Sequence, residues 1–310
     1  MKIIIDTDPG TDDAVAILIA LAHFSDEEIL GITTVAGNVG VKVGTINALR
    51  ILEHAGRNNI HVYKGESTPL KRELLTAEWV HGTDGLGGVP FPQPSKTEEN
   101  LDAVSFLKQS ISSSDEKVTL CVLGPMTNIG KALIEKPEIS ENIEQIIFMG
   151  GSATGGNTTP AAEFNILVDP DAAEVVLHSG IKLVMMGLDV THQAISTSDR
   201  IQNISETKTK TSELLVGLMS KLANLEMVKK KFPDGTPVHD AFVTAYLVDS
   251  SLTKGNFVNV EVETSSELTL GQTVVDTNEI SGRDKNVHWM NIVDDNKLFA
   301  IITKTSSLLP

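Results

Sequence analysis

"MKIIIDTDPGTDDAVAILIALA", residues 1–22, decides how the chain reads. Three isoleucines, Ile3 to Ile5, form a short β-branched run suited to a strand buried on both faces. Beyond Pro9-Gly10 the apolar residues recur at helical spacing, so a strand hands over to a helix through a tight turn. That handover carries four carboxylates, Asp6, Asp8, Asp12 and Asp13, within eight residues. Asp6 and Asp8 point the same way from an extended strand, and Asp12 and Asp13 open the helix, so the four converge. Two unit charges about 5 Å apart at an effective dielectric near 20 repel by roughly 3 kcal/mol, whereas a helix N-terminus returns only about 0.3–1 kcal/mol per acid. A positive charge belongs among them. No Lys or Arg lies beside them in sequence, and they offer only oxygen ligands, which points to a hard divalent cation and to calcium above magnesium or zinc. Two other readings fit the same stretch: Asp12 as a plain helix cap with its neighbours solvated, and the Asp-x-Asp of a haloacid-dehalogenase-type phosphohydrolase, whose later lysine and acidic pair are not evident here.

The same alternation continues outward. "KIIID", "ILGITTVAG", "HVYKG", "VTLCVLG", "QIIFMGG" and "KLVMMGLD" read as buried strands, and the amphipathic runs between them read as helices. The expected fold class is α/β: a Rossmann-like, open, mainly parallel sheet flanked by helices, in one domain over 1–310. After residue 256, "FVNVEVE", "LGQTVVD" and "KNVHWMNIV" predict extra strands or hairpins at one edge. Ligands of open parallel sheets gather outside the carboxyl ends of the strands, where "DTDPGTDD", "TVAGN", "LGPMTN" and "MGGSATGGNTTPAAEFN" fall. In "GPMTNIG", Thr127 or Asn128 is expected to cap the following helix. Segments 66–100 and 195–236 are expected to form a rim over such a site.

Composition narrows the partners. A formal charge of −16 without clustered cationic surface argues against nucleic acid and anionic membranes. The single cysteine, Cys121, lies in an apolar run, which excludes an internal disulfide or a cysteine metal cluster and suits a cytoplasmic protein. No run approaches the ~18 apolar residues of a membrane span.

"DTDPGTDDAVAI" resembles the opening of the inosine-uridine-preferring nucleoside hydrolases, and "TVAGN", "HGTDGLGG", "GPMTN", "GGNTTPAAEFNILVDPDAA" and "PVHDA" resemble that family's blocks in its order. The resemblance implies hydrolysis of a ribonucleoside to ribose and free base around one calcium ion, by a homodimer or homotetramer. It implies calcium ligands at Asp8, Asp13, Asp240 and the Leu123 carbonyl, with Asp8 also taking the proton of the attacking water. Asp12 would touch both metal and ribose, and Asp6 would orient the ligands from behind. Ribose would meet Asn38, Asn157, Glu163 and Asn165, and the base would meet His81 and His239; Phe164, between Glu163 and Asn165, packs either on the base or on the core. Of these, His239 is the candidate to protonate or contact the leaving base, because imidazole titrates near neutrality. His192 after "GLDVT" could face the pocket or serve the core. A relative that binds ribose without catalysis would keep the calcium acids and lose the base, yet Asp8 and His239 are both present.

Overall fold

The structure, a computed structural model, describes residues 1–310. Its first half runs β1 (Lys2–Thr7), α1 (Thr11–His23), β2 (Ile29–Thr34), α2 (Val41–His54), β3 (Val62–Lys64), α3 (Glu78–His81), α4 (Ala103–Ser113), β4 (Val118–Val122), α5 (Thr127–Glu135) and β5 (Ile143–Met149). There follow α6 (Phe164–Val168), α7 (Pro170–Leu177), β6 (Leu183–Met186), α8 (Leu188–Thr191), α9 (Ser198–Ser205), α10 (Lys210–Ala223), α11 (Glu226–Lys231) and α12 (Ala241–Val248). The chain ends with β7 (Thr253–Val258), β8 (Val260–Val262), β9 (Thr273–Val275), β10 (Val287–Val293) and α13 (Asp295–Leu308).

Eight strands form the central sheet in the order β3-β2-β1-β4-β5-β6-β10-β7. The first six are parallel, and β10 continues the parallel set beside β6. Side-chain alternation splits every strand between two cores. Ile3 and Ile5 join Ile147 and Met186 beneath α1, α2, α10, α12 and α13, whereas Ile4 joins Leu120, Phe148 and Met185 beneath α4, α5 and α7. Both faces are thus covered, which explains why the strands read as unbroken apolar runs.

The carboxy-terminal strands arrive as expected in kind but not in order. β7 is antiparallel at the edge, and β10 inserts between it and β6; β8 and β9 leave the sheet as a separate two-stranded ribbon. Alternation marks a strand but says nothing of its neighbour, so the insertion is a tertiary outcome. α12 is apolar nearly all round because it packs on α1, where the Thr244 hydroxyl donates to the Ala16 carbonyl at 2.9 Å. That contact brings the head of α12 to the head of α1. No helix is long and apolar enough to cross a membrane.

Candidate active site

The six parallel strands follow the order 3-2-1-4-5-6, so the sheet reverses its winding between β1 and β4. A crevice opens at the carboxyl ends of such a pair, and the acid cluster sits there. α1 contributes Asp12 and Asp13 from its first turn, and Asp240 stands at the N-cap of α12. Oxygens of these three buried carboxylates lie within 4.8 Å of one another, close enough to hold one metal ion.

Each acid is set by its neighbours. Asp13 accepts from the Thr7 hydroxyl at 2.6 Å, the Gly10 backbone N–H at 2.9 Å and the Asn38 amide at 3.0 Å. The capping carboxylate of α1 is therefore Asp13, not Asp12, because the N-cap is Gly10 and Asp13 is three residues on. Asp8 accepts from the Asn38 backbone N–H at 2.6 Å through Oδ2, while its Oδ1 is buried without a partner. Gly37 and Gly124 press on that carboxylate from either side, and a Cβ on either would overlap it. Asp6 lies behind the group, accepting from Thr33 Oγ1 at 2.5 Å and Asn128 Nδ2 at 2.8 Å. Neither Thr127 nor Asn128 caps α5: Thr127 donates to Asp169 at 2.7 Å, and the second amide hydrogen of Asn128 reaches the Thr34 carbonyl at 3.0 Å. A cap must offer an oxygen from the position before the first turn, and that position is Met126; Thr127 and Asn128 already lie inside α5, and Asn128 Oδ1 accepts from the Glu66 N–H at 3.0 Å.

Burial, then the charge of Asp13, raises the Asp8 carboxyl well above its usual range. Burial followed by Asp12, Asp13 and Asp8 does the same to Asp240, and Asp12 and Asp6 are each pushed up to about 7, burial again first. Only a positive charge would keep such a group ionised together at neutral pH. The donor set is entirely oxygen, Asp8 Oδ1 is unclaimed and no cationic side chain enters the cluster, so the residues fit a hard divalent ion.

A pocket opens directly above. Asp12, Asn38, His81, Leu123, Asn157, Glu163, Phe164, Asn165, His239 and Asp240 all line it, while Asp6, Asp8 and Asp13 lie beneath. The Leu123 carbonyl accepts from Asn165 Nδ2 at 2.7 Å, and the same nitrogen reaches the Met149 carbonyl at 3.1 Å. Both amide hydrogens of Asn165 are thus spent on backbone, and its Oδ1 is left as an acceptor for a ligand hydroxyl. Glu163 is satisfied by the backbone N–H groups of Gly151, Asn165 and Ile166, a helix-capping duty for α6 that its apolar surroundings did not advertise. Asn157 accepts from the Phe164 N–H at 3.0 Å, and Phe164 packs on Ala77 and Val168 while forming part of the wall.

The imidazoles can be assigned protons. The Thr11 backbone N–H donates to His81 Nδ1 at 3.2 Å, so the neutral ring carries its hydrogen on Nε2. Burial lowers His81 to about 4. His239 Nδ1 pairs with the Thr191 hydroxyl at 2.8 Å; burial first, then His192, Lys231 and His81, lower it to about 3. A neutral His239 suits contact with a base more than delivery of a proton from an imidazolium. His192 faces the pocket, its ring 5.5 Å from that of His239 and 5.0 Å from Phe232. Sequence reasoning did not place Trp79, Lys231, Phe232 or Thr191 here. Trp79, Lys231 and Phe232 fall within the segments 66–100 and 195–236 expected to form a rim, but nothing in the sequence singles them out there.

Parallel strands and a switch-point crevice with a carboxylate floor and a polar wall define a class, the α/β proteins that hold a small ligand outside the carboxyl ends of the strands. Within that class the chain belongs to the inosine-uridine preferring nucleoside hydrolase family, whose model matches residues 3–300. It is an N-glycosidase of ribonucleosides, and the phosphohydrolase reading falls away. It is 42% identical over 312 residues to an uncharacterized protein of Schizosaccharomyces pombe, with both chains covered completely. It is 43% identical over 288 residues to the pyrimidine-specific ribonucleoside hydrolase RihA of Shewanella baltica, covering 92% of this chain and 89% of that one. Among solved structures, the purine-preferring ribonucleoside hydrolase from Gardnerella vaginalis superposes with a TM-score of 0.90 at 31% identity, covering 99% of each chain.

Proposed function

We propose that this enzyme hydrolyses pyrimidine ribonucleosides in nucleoside salvage, with calcium held by Asp8, Asp13, Asp240 and the Leu123 carbonyl and touched by Asp12. The observation that carries the reading is the convergence of Asp12, Asp13 and Asp240 within 4.8 Å beneath a pocket walled by Asn38, Glu163 and Asn165. Pyrimidine preference is supported by the 43% identical relative named pyrimidine-specific, against 31% identity to the structure named purine-preferring. When bound, calcium supplies the charge that keeps the acids ionised, lowers the pKa of a water and gathers sugar hydroxyls. Asp8 takes the proton of the attacking water. Asp12 and Asn38 orient the 2′ and 3′ hydroxyls, the Asn165 amide oxygen accepts from one of them, and Asn157 with Glu163 holds the hydroxymethyl end. Positive charge developing on the anomeric carbon faces the acid floor, which favours the transition state over the ground state. His81 Nε2–H, Phe164 and His239 meet the base, and Asp6 steadies β1 from behind. The lone buried cysteine and the acidic chain support a cytoplasmic setting, and the family likeness supports a homodimer or homotetramer.

Release of reducing sugar from uridine, cytidine and inosine, with and without chelator, tests the proposal. Uridine and cytidine should outrun inosine by roughly tenfold or more, the size expected of pocket fit. Chelator should stop all three, and calcium should restore them. Undiminished turnover in chelator, or inosine as the best substrate, would contradict the respective part.

A further inference from the structure

The pocket is electrically lopsided. Its floor is carboxylate, Asp12 and Asp240, and its lip carries one cation, Lys231, the only Lys or Arg that lines it. Lys231 ends α11 as the last of three consecutive lysines, yet Lys229 and Lys230 do not reach the pocket. It takes part in none of the ion pairs of the chain. Its Nζ stands 5.4 Å from the centre of the Phe232 ring, and Met227 and Val228 on the same short helix face the same space. Its charge is felt by His192, which it makes harder to protonate.

We propose that Lys231 stabilises the negative charge that gathers on the departing base, an inference that rests on the nucleoside hydrolase reading above. In the reaction, the bond from the anomeric carbon to the base nitrogen breaks and its electron pair leaves with the base. The water oxygen bonds to the anomeric carbon and yields a proton to Asp8; the base anion takes up a proton, so the sum is riboside plus water to ribose plus base. While the pair is on a pyrimidine, charge spreads onto the ring carbonyl oxygens, which are the acceptors an ammonium meets. The polarity of the pocket then matches that of the bond being broken, with acids at the sugar end and a cation at the base end. Lys231 is solvent-exposed, so its field is screened in the open pocket and strengthens once a base displaces water from between Phe232, Val228 and Met227.

Lys231→Ala, Lys231→Arg and the neighbouring Lys230→Ala should be compared on uridine and on p-nitrophenyl riboside, whose nitrophenolate leaves without help. A hydrogen bond to a charged acceptor predicts that Lys231→Ala loses roughly ten- to a hundredfold in kcat/KM on uridine, chiefly in kcat, and under about threefold on the nitrophenyl substrate. Arginine should restore most of the uridine rate, and Lys230→Ala should match the wild type on both. Equal losses on the two substrates, or no loss on uridine, would overturn the assignment. Failure of the wild type to cleave either riboside would instead bring down the nucleoside hydrolase reading on which it rests.

Discussion

Asp8→Asn should lower kcat on uridine by about a thousandfold, within the range removed when a general base is lost, while the protein stays folded. The replacement keeps the shape of the side chain and an acceptor for the Asn38 N–H, and it removes one of several buried charges that repel each other. Thermal stability should therefore hold or rise, in keeping with the cost of burying an unpaired carboxylate. Because Asp8 is also assigned to calcium, the comparison belongs at saturating calcium, with KM recorded beside kcat. A variant within about tenfold of wild-type kcat under those conditions would remove Asp8 as the base, since the contribution expected of such a group is at least a hundredfold.

Stability of the chelator-stripped enzyme should fall as pH rises from 6.5 to 8.5, a direction opposite to the usual behaviour of protein carboxylates. Asp6 and Asp12 titrate near 7 in the fold, and burial raises Asp8 and Asp240 as well, against 3.8 for a free aspartate. The folded state then binds more protons than the unfolded one, and stability declines with pH. Each carboxyl near 7 loses about 1 kcal/mol across that window. Below 6.5 the buried imidazoles act in the other direction. His81 and His192, lowered to about 4, and His239, lowered to about 3, bind fewer protons in the fold, so their contribution rises with pH until their unfolded value of 6.5 is passed. The clean window therefore starts above them. The melting temperature should drop by at least about 3 °C between pH 6.5 and 8.5 without calcium, and hold steady with it. A flat profile in the stripped protein would show that the acids are not held protonated by burial.

Much of this was legible in the chain itself because the informative signals are local. Apolar runs such as "KIIID" and "VTLCVLG" announce strands covered on both faces, and they lie in adjacent parallel strands, with Asp6 paired to Val122 across β1 and β4. The turn "DTDPGTDD" announces convergent acids, and two of its four, Asp12 and Asp13, gather around one point with Asp240, which arrives from far along the chain. What stayed hidden depends on partners remote in sequence. β10 entering between β6 and β7 is chosen by packing, not by alternation. The use of the Asn128 amide to hold Asp6 follows from an acid 122 residues away. Lys231 and Phe232 reach the pocket only because α11 folds over it, and a polar helix with no buried residue carries no periodic signature of where it lies. Glu163 shows a subtler gap: an acid among apolar residues pointed to function, while three backbone N–H groups were waiting to satisfy it.

Calorimetric titration of calcium into the chelator-stripped enzyme, at pH 7.5 and followed by uridine turnover on the same sample, bears on the central claim most directly. One site per chain should fill, turnover should rise in proportion to its occupancy, and Asp240→Ala should abolish both. Absence of binding at millimolar calcium together with full turnover would contradict the assignment of the acid cluster as a metal centre.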